Sequence, residues 1–212
     1  MKSLKILSVL MVLIVLFFFV GCGKKDSDVT KKEDAKTENT EKKDVTIGDN
    51  TPVHLKYDIA VEKEKGTMEL YYKGSNAKFI MSGKEAGKTF NMTMWVKDKI
   101  LYILTESEGE KIAMKSDISK DPNFKDYRTF IDVKEELKDA KKEGTEEIMG
   151  YKCDIYKNKE GTASVYQDKV VLKSVDKDAT FTAVLFEPDA KFGDDVFEPP
   201  KDINFIDMDK MK

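Results

Sequence analysis

From Val53 to Val96 the apolar residues repeatedly fall on every second position. Val53, Leu55, Tyr57, Ile59 and Val61 have His54, Lys56 and Asp58 between them. Met68, Leu70 and Tyr72 alternate with Thr67, Glu69, Tyr71 and Lys73. Phe90, Met92, Met94 and Val96 alternate with Thr89, Asn91, Thr93 and Lys97. A period of two lays each run along one face of a strand, whereas a helix would scatter it around its axis. Glu64-Lys65-Gly66, Lys73-Gly74-Ser75-Asn76 and Lys97-Asp98-Lys99 supply turn chemistry between the runs. An up-and-down antiparallel meander follows, with further strands expected at 77–82, 99–105 and 111–116.

The middle of the chain changes period. Asp121 before Pro122 is a helix start, and Phe124, Tyr127, Phe130 and Ile131 recur at helical spacing with Val133 and Leu137 beyond. One or two helices are expected within 122–139. Strand patterns resume at Lys141–Glu147, at Tyr151, Cys153 and Ile155, and at 162–167, 169–176 and 179–187. In the tail, Phe197, Ile203, Phe205 and Ile206 surround Pro199-Pro200. Two prolines cannot sit within a ladder, so the tail should lie along the sheet edge or across its mouth. About ten strands and a helical insertion make one mainly β (α+β) domain, residues 53–212.

Two segments precede that domain. Met1-Lys2-Ser3-Leu4-Lys5 is a basic start, followed by an apolar run from Ile6 to Val20. Its length suits the core of an export signal better than a membrane span, which needs about 20 residues. Phe19-Val20-Gly21-Cys22 resembles the bacterial lipobox, although Phe19 stands where a leucine is usual. That resemblance implies a signal peptide over 1–21 and a diacylglycerol on the Cys22 thiol, the first mature residue. Acyl chains contribute about 0.8 kcal/mol per buried methylene, enough for two or more to hold a protein on a membrane. Residues 22–52 then form a charged stretch in which Val29, Ala35, Val45 and Ile47 are isolated apolar positions. Without periodicity it reads as a disordered tether, with a reach of about 30 Å for some 30 residues.

Composition excludes more than it includes. The chain has 37 basic and 40 acidic residues, a net charge of −3, one histidine and two cysteines. A near-neutral balance gives no footprint for nucleic acid, one histidine excludes most histidine-based catalysis and histidine-rich metal sites, and no cysteine pair has metal-ligand spacing. No metal, cofactor or catalytic residue is expected, and the chain reads as a non-enzyme. Ser82-Gly83-Lys84-Glu85-Ala86-Gly87-Lys88-Thr89 approaches a phosphate loop, yet it opens a strand rather than a helix and is expected to be a hairpin turn. His54 is expected on the polar strand face, hydrogen-bonded or solvated. Asp176-Lys177-Asp178 and Asp207-Met208-Asp209 lack the glycine turn and glutamate of a calcium loop. Cys153 should be a buried hydrophobe, and the Asn91-Met92-Thr93 sequon is incidental in a bacterial export product.

Three stretches carry a wider resemblance: Gly66 to Tyr72, Gly144 to Tyr156 with its glycine before Tyr151-Lys152-Cys153, and Phe197-Glu198-Pro199-Pro200-Lys201-Asp202-Ile203. Residues 53–212 resemble the Lol-type lipoprotein carriers and the bacterial lipoprotein domains grouped with them. The resemblance implies a curved antiparallel sheet, an unclosed half-barrel capped by one or two helices over a hydrophobic cavity for acyl chains. The inward-facing candidates are Leu55, Tyr57, Ile59, Met68, Leu70, Tyr72, Phe90, Met92 and Met94. Their methionines make a soft, repackable wall. The expectation is a lipoprotein of the cell envelope, anchored to a membrane outside the cytoplasm (the outer membrane or periplasmic face in a two-membrane cell), that binds lipid or acyl chains. The alternative is an envelope structural or sensing lipoprotein with a filled core and protein partners.

Overall fold

The computed structural model describes residues 45–61, 64–85, 87–120, 133 and 137–211. The chain divides into two units, Met1–Thr37 and Glu38–Lys212, and every described residue lies in the second. Twelve strands follow one another: β1 (Val53–Val61), β2 (Glu64–Lys73), β3 (Asn76–Glu85), β4 (Lys88–Lys97), β5 (Ile100–Ser107), β6 (Glu110–Asp117), β7 (Lys141–Ile148), β8 (Tyr151–Lys157), β9 (Gly161–Tyr166), β10 (Val170–Asp176), β11 (Ala179–Pro188) and β12 (Ile206–Asp207). They form one sheet in the order β12-β6-β5-β4-β3-β2-β1-β11-β10-β9-β8-β7. The end strands do not pair with each other. The result is an unclosed sheet of the half-barrel kind, mostly β.

Topology follows from the turns. β1 to β6 are successive hairpins, β7 to β11 are a second meander, and the return of β11 to β1 joins the two. Asp98 and Lys99, Glu108 and Gly109, Met149 and Gly150, and Gln167 and Asp168 all have positive φ, between 51° and 85°. Paired positive φ is the signature of the two-residue turn whose twist matches flanking strands. The expected charged hairpin at Ser82–Thr89 joins β3 to β4, with Lys84 opposite Thr89.

Register keeps the apolar set together. Leu55 faces Leu70, Leu70 faces Phe79, Phe79 faces Met94, Met94 faces Ile103 and Ile103 faces Met114. The principal core gathers Val53, Leu55, Tyr57, Met68, Leu70 and Tyr72 with Phe181, Ala183, Phe186, Val170 and Leu172 from the second meander. Tyr151, Tyr166 and Phe186 meet there edge to face, with centroids 4.7–5.5 Å apart. Such pairs add about 0.5–1.5 kcal/mol each beyond area burial.

Two features differ from expectation. Residues 45–51, assigned to the tether, are packed on the domain. Ile47 is 4% exposed, its amide donates to Gln167 Oε1 at 3.0 Å, and the Gln167 amide donates to the Val45 carbonyl at 3.1 Å. The folded part thus begins at least by Val45. The tail neither lies only along the edge nor crosses the mouth. It runs over the polar face of β3–β5, where Phe197 is fully buried and Lys97 pairs with Glu198, then adds β12 parallel to β6. The expected helical insertion falls mostly outside the described residues, as do the signal, Cys22 and the tether up to residue 44. Leu137–Asp139 is a turn.

Candidate functional site

The nine inward-facing candidates share one sheet face but not one environment. Leu55, Met68, Leu70 and Tyr57 are at most 2% exposed and belong to the packed core. The Tyr57 hydroxyl donates to the Val171 carbonyl at 2.6 Å, and that of Tyr72 to the Asp49 carbonyl at 3.4 Å. Burial pushes the Tyr57 phenol well above its ordinary pKa. Ile59 is half-buried at the margin of this core.

Further along the sheet the packing loosens. Met92 is buried, while Phe90, Met94, Met81, Ile103, Ile112 and Met114 are half-buried on β3–β6. Cross-strand register aligns them in rows. Met68, Met81, Met92, Thr105 and Ile112 form one row, and Leu70, Phe79, Met94, Ile103 and Met114 the next. Phe90 has a supporting duty at the end of the face, for its ring lies over Gly83, where an added Cβ would come within 3.1 Å of it. Sequence reasoning missed Phe79, Met81, Ile103, Thr105, Ile112 and Met114. Their alternation was legible; only the register shows that they continue the same rows.

The opposite face carries the polar chemistry. His54 Nδ1 lies 2.8 Å from Glu187 Oε2 and Nε2 lies 2.8 Å from Glu69 Oε1. The ring stacks on Tyr71 at 4.3 Å, and the Tyr71 hydroxyl donates to Glu69 at 2.6 Å. Burial alone would raise the Glu69 pKa; the hydrogen bonds from Tyr71 and His54 outweigh it and hold the carboxyl below its ordinary range. Tyr71 is pushed up to about 12, by burial first and Glu69 second. His54 is thus a clasp across β2, β1 and β11, hydrogen-bonded as expected. Tyr71 meets Phe192, which meets Phe197, so the clasp joins the covering tail. Trp95, also on this face, is buried against Lys78, whose ammonium is 5.8 Å from the ring.

Cys153 is fully buried, and burial pushes its thiol up to about 11. A thiol held protonated is a poor nucleophile. Among the described residues no group of histidine, cysteine and carboxylate side chains could hold a metal ion. No described helix is long and apolar enough to cross a membrane.

Residues 53–186, which run from the first residue of β1 into β11, match a single family model, described as "Domain of unknown function (DUF4412)". The chain belongs to the DUF4412 family. The match ends before the tail, so the segment covering the polar face lies outside the matched region of DUF4412. Similar solved structures include MucB, at 11% identity and TM-score 0.40, covering 74% of this chain and 60% of MucB. MucB in complex with MucA(peri) is similar at 11% identity and TM-score 0.39, covering 72% of this chain and 56% of that one. PNGF-II is similar at 11% identity and TM-score 0.38, covering 76% of this chain and 32% of that one. The chain thus spans less than two thirds of each, and none of the three is named as a Lol-type carrier. No curated protein matches it in sequence.

Proposed function

We propose that this DUF4412 chain is a bacterial envelope lipoprotein, anchored outside the cytoplasm through an acylated Cys22, that holds an acyl chain on the apolar face of β3–β6. It is not an enzyme and uses no cofactor. The observation carrying this reading is the uneven filling of one continuous apolar face. Leu55, Leu70 and Met68 are sealed in the principal core, whereas Met81, Met94 and Met114 in the same rows stay half-buried. Flexible thioethers on such a face accommodate a ligand of variable shape. Binding would be passive, driven by about 25 cal/mol for each Å² of apolar surface removed from water. A protein tethered to one membrane would receive or hold lipid there rather than ferry it.

The test is mass spectrometry of lipid released by solvent from the purified mature chain, in which the covalent anchor stays behind. Acyl lipid should be recovered near stoichiometrically, and Met92→Trp should deplete it while the domain still folds. A lipid-free parent together with a strongly destabilised Met92→Trp protein would end this reading. The alternative, an envelope lipoprotein with a filled core that contacts protein partners, draws support from the complete burial of Leu55, Tyr57, Met68 and Leu70. That outcome would then stand in its place.

A further inference from the structure

Thr105 interrupts the apolar face. It is 6% exposed, and its register between Met92 and Ile112 places it on the same side as Leu101 and Ile103. Its hydroxyl oxygen is buried and has no hydrogen-bond partner. A buried hydroxyl without a partner is destabilising, and each instance in a native fold calls for a cause. A valine of the same shape would fill the position without that penalty.

The row gives the hydroxyl a direction. From Thr105 it passes over Met92 and Met81 to Met68, where the core closes at 2% exposure. Three interstrand spacings make this track about 14 Å long. It suits an extended chain with one hydrogen-bonding group at the β5 end and a tail directed towards β2.

Charge on that face selects among such chains. Among the described residues of β4–β6 the register assigns it one cation, Lys88. Lys88 stands four residues before Met92, about 13 Å along the strand, and is already paired with Glu108 at 2.5 Å. Glu110, opposite Ser107, is the one carboxylate of β4–β6 that the register assigns to the same side among the described residues. A carboxylate headgroup placed at Thr105 would lose hydration and face Glu110, with no unpaired cation on this side among the described residues of β4–β6. An ester, amide or hydroxyl carries no such penalty.

We propose that Thr105 is the polar anchor of the acyl-chain face, its hydroxyl hydrogen-bonding the carbonyl or hydroxyl of a neutral acyl lipid, and that the face discriminates against fatty-acid anions. This inference rests on the reading of β3–β6 as an acyl-chain face. The hydroxyl can donate to an ester carbonyl or accept from an alcohol, so either neutral head satisfies it.

The experiment uses the full mature chain reconstituted in phosphatidylcholine vesicles. Two photoreactive probes carry a diazirine at the same chain position, one a monoacylglycerol and the other the corresponding fatty acid at neutral pH. Labelled peptides are identified by mass spectrometry. The acylglycerol should label peptides containing Met81 and Met92, and the fatty acid about tenfold less. Thr105→Val should reduce acylglycerol labelling about tenfold, the loss of one hydrogen bond, while Thr105→Ser, which keeps the hydroxyl, retains it. Equal labelling by the two probes, undiminished labelling of Thr105→Val, or loss in Thr105→Ser overturns the anchor and leaves the acyl-chain face standing. Absence of β3–β6 labelling with both probes overturns the face and the anchor together.

Discussion

Leu70 and Met94 belong to the same row of the sheet, two strands apart, with Phe79 between them, yet truncating them should have different consequences. Leu70 is 1% exposed, and register sets it between Leu55 and Phe79. Leu70→Ala removes three carbon atoms from a sealed position, roughly 2.4 kcal/mol of transfer free energy at about 0.8 per methylene. The cavity left behind adds to this, because neighbours in β1 and β3 are held by ladder hydrogen bonds and relax little. The total should be about 3–4 kcal/mol, inside the range seen for such truncations. Met94 is half-buried, so Met94→Ala forfeits fewer contacts and leaves a depression rather than a void, at about 1 kcal/mol. Urea unfolding monitored through Trp95, the single tryptophan, measures both variants against the parent. Unchanged denaturant slopes are needed for the comparison to be one of stability. Equal losses at the two sites would refute the uneven filling of this face, and with it the support for an acyl ligand on β3–β6.

Two further expectations concern the polar face and the buried thiol. His54→Gln can satisfy one glutamate but not both, so it should lower stability by about 1–3 kcal/mol, read from the same urea curves; a change within error would mean the clasp contributes nothing. Because the folded-state Glu69 pKa lies below its ordinary 4.5, its contribution is present above that value and disappears as pH falls through the lowered one. Glu69→Gln should therefore remove part of the acid-side loss of stability seen in denaturation curves below about pH 4.5, and a parent whose stability is flat there would contradict this. Cys153 should resist thiol reagents at neutral pH until the domain unfolds, so labelling in the native state as fast as in urea would show that its burial is misjudged.

Alternation made most of the sheet legible, because a strand with one buried face writes its period into the sequence. The hairpin turns were legible from Gly74 and from the charged pair Asp98-Lys99, where the structure has positive φ. Ile47 was not. An isolated isoleucine among charged residues has no period, and the side chain that takes its backbone amide, Gln167, lies 120 residues away. The course of the tail was half legible. Pro199-Pro200 ruled out an inner ladder strand, but its resting place is set by side chains on the face that alternation marks as polar. Tyr71, Trp95 and Tyr102 all lie on that face, and Tyr102 takes Phe205 edge-on at 5.3 Å. Three large aromatics on an expected solvent face were the available sign of a cover.

The candidate face shows where reading by period stops. Alternation says which residues share a side and is silent on what lies above them. Leu70 and Met94 therefore look equivalent along the chain, although one is fully enclosed and the other half-buried. Filling depends on the second meander. β11 returns to β1 and brings Phe181, Ala183 and Phe186 into one core with the apolar residues of β1 and β2, joined there by Ala77 and Phe79 of β3 and Val96 of β4. Thr105 was hidden for a related reason. A threonine among Leu101, Ile103 and Ser107 is an ordinary strand residue, and its hydroxyl becomes conspicuous only when the register encloses it between Met92 and Ile112. The property that bears on function is thus how fully each position of the face is enclosed, which is set by the tertiary fold rather than by local pattern.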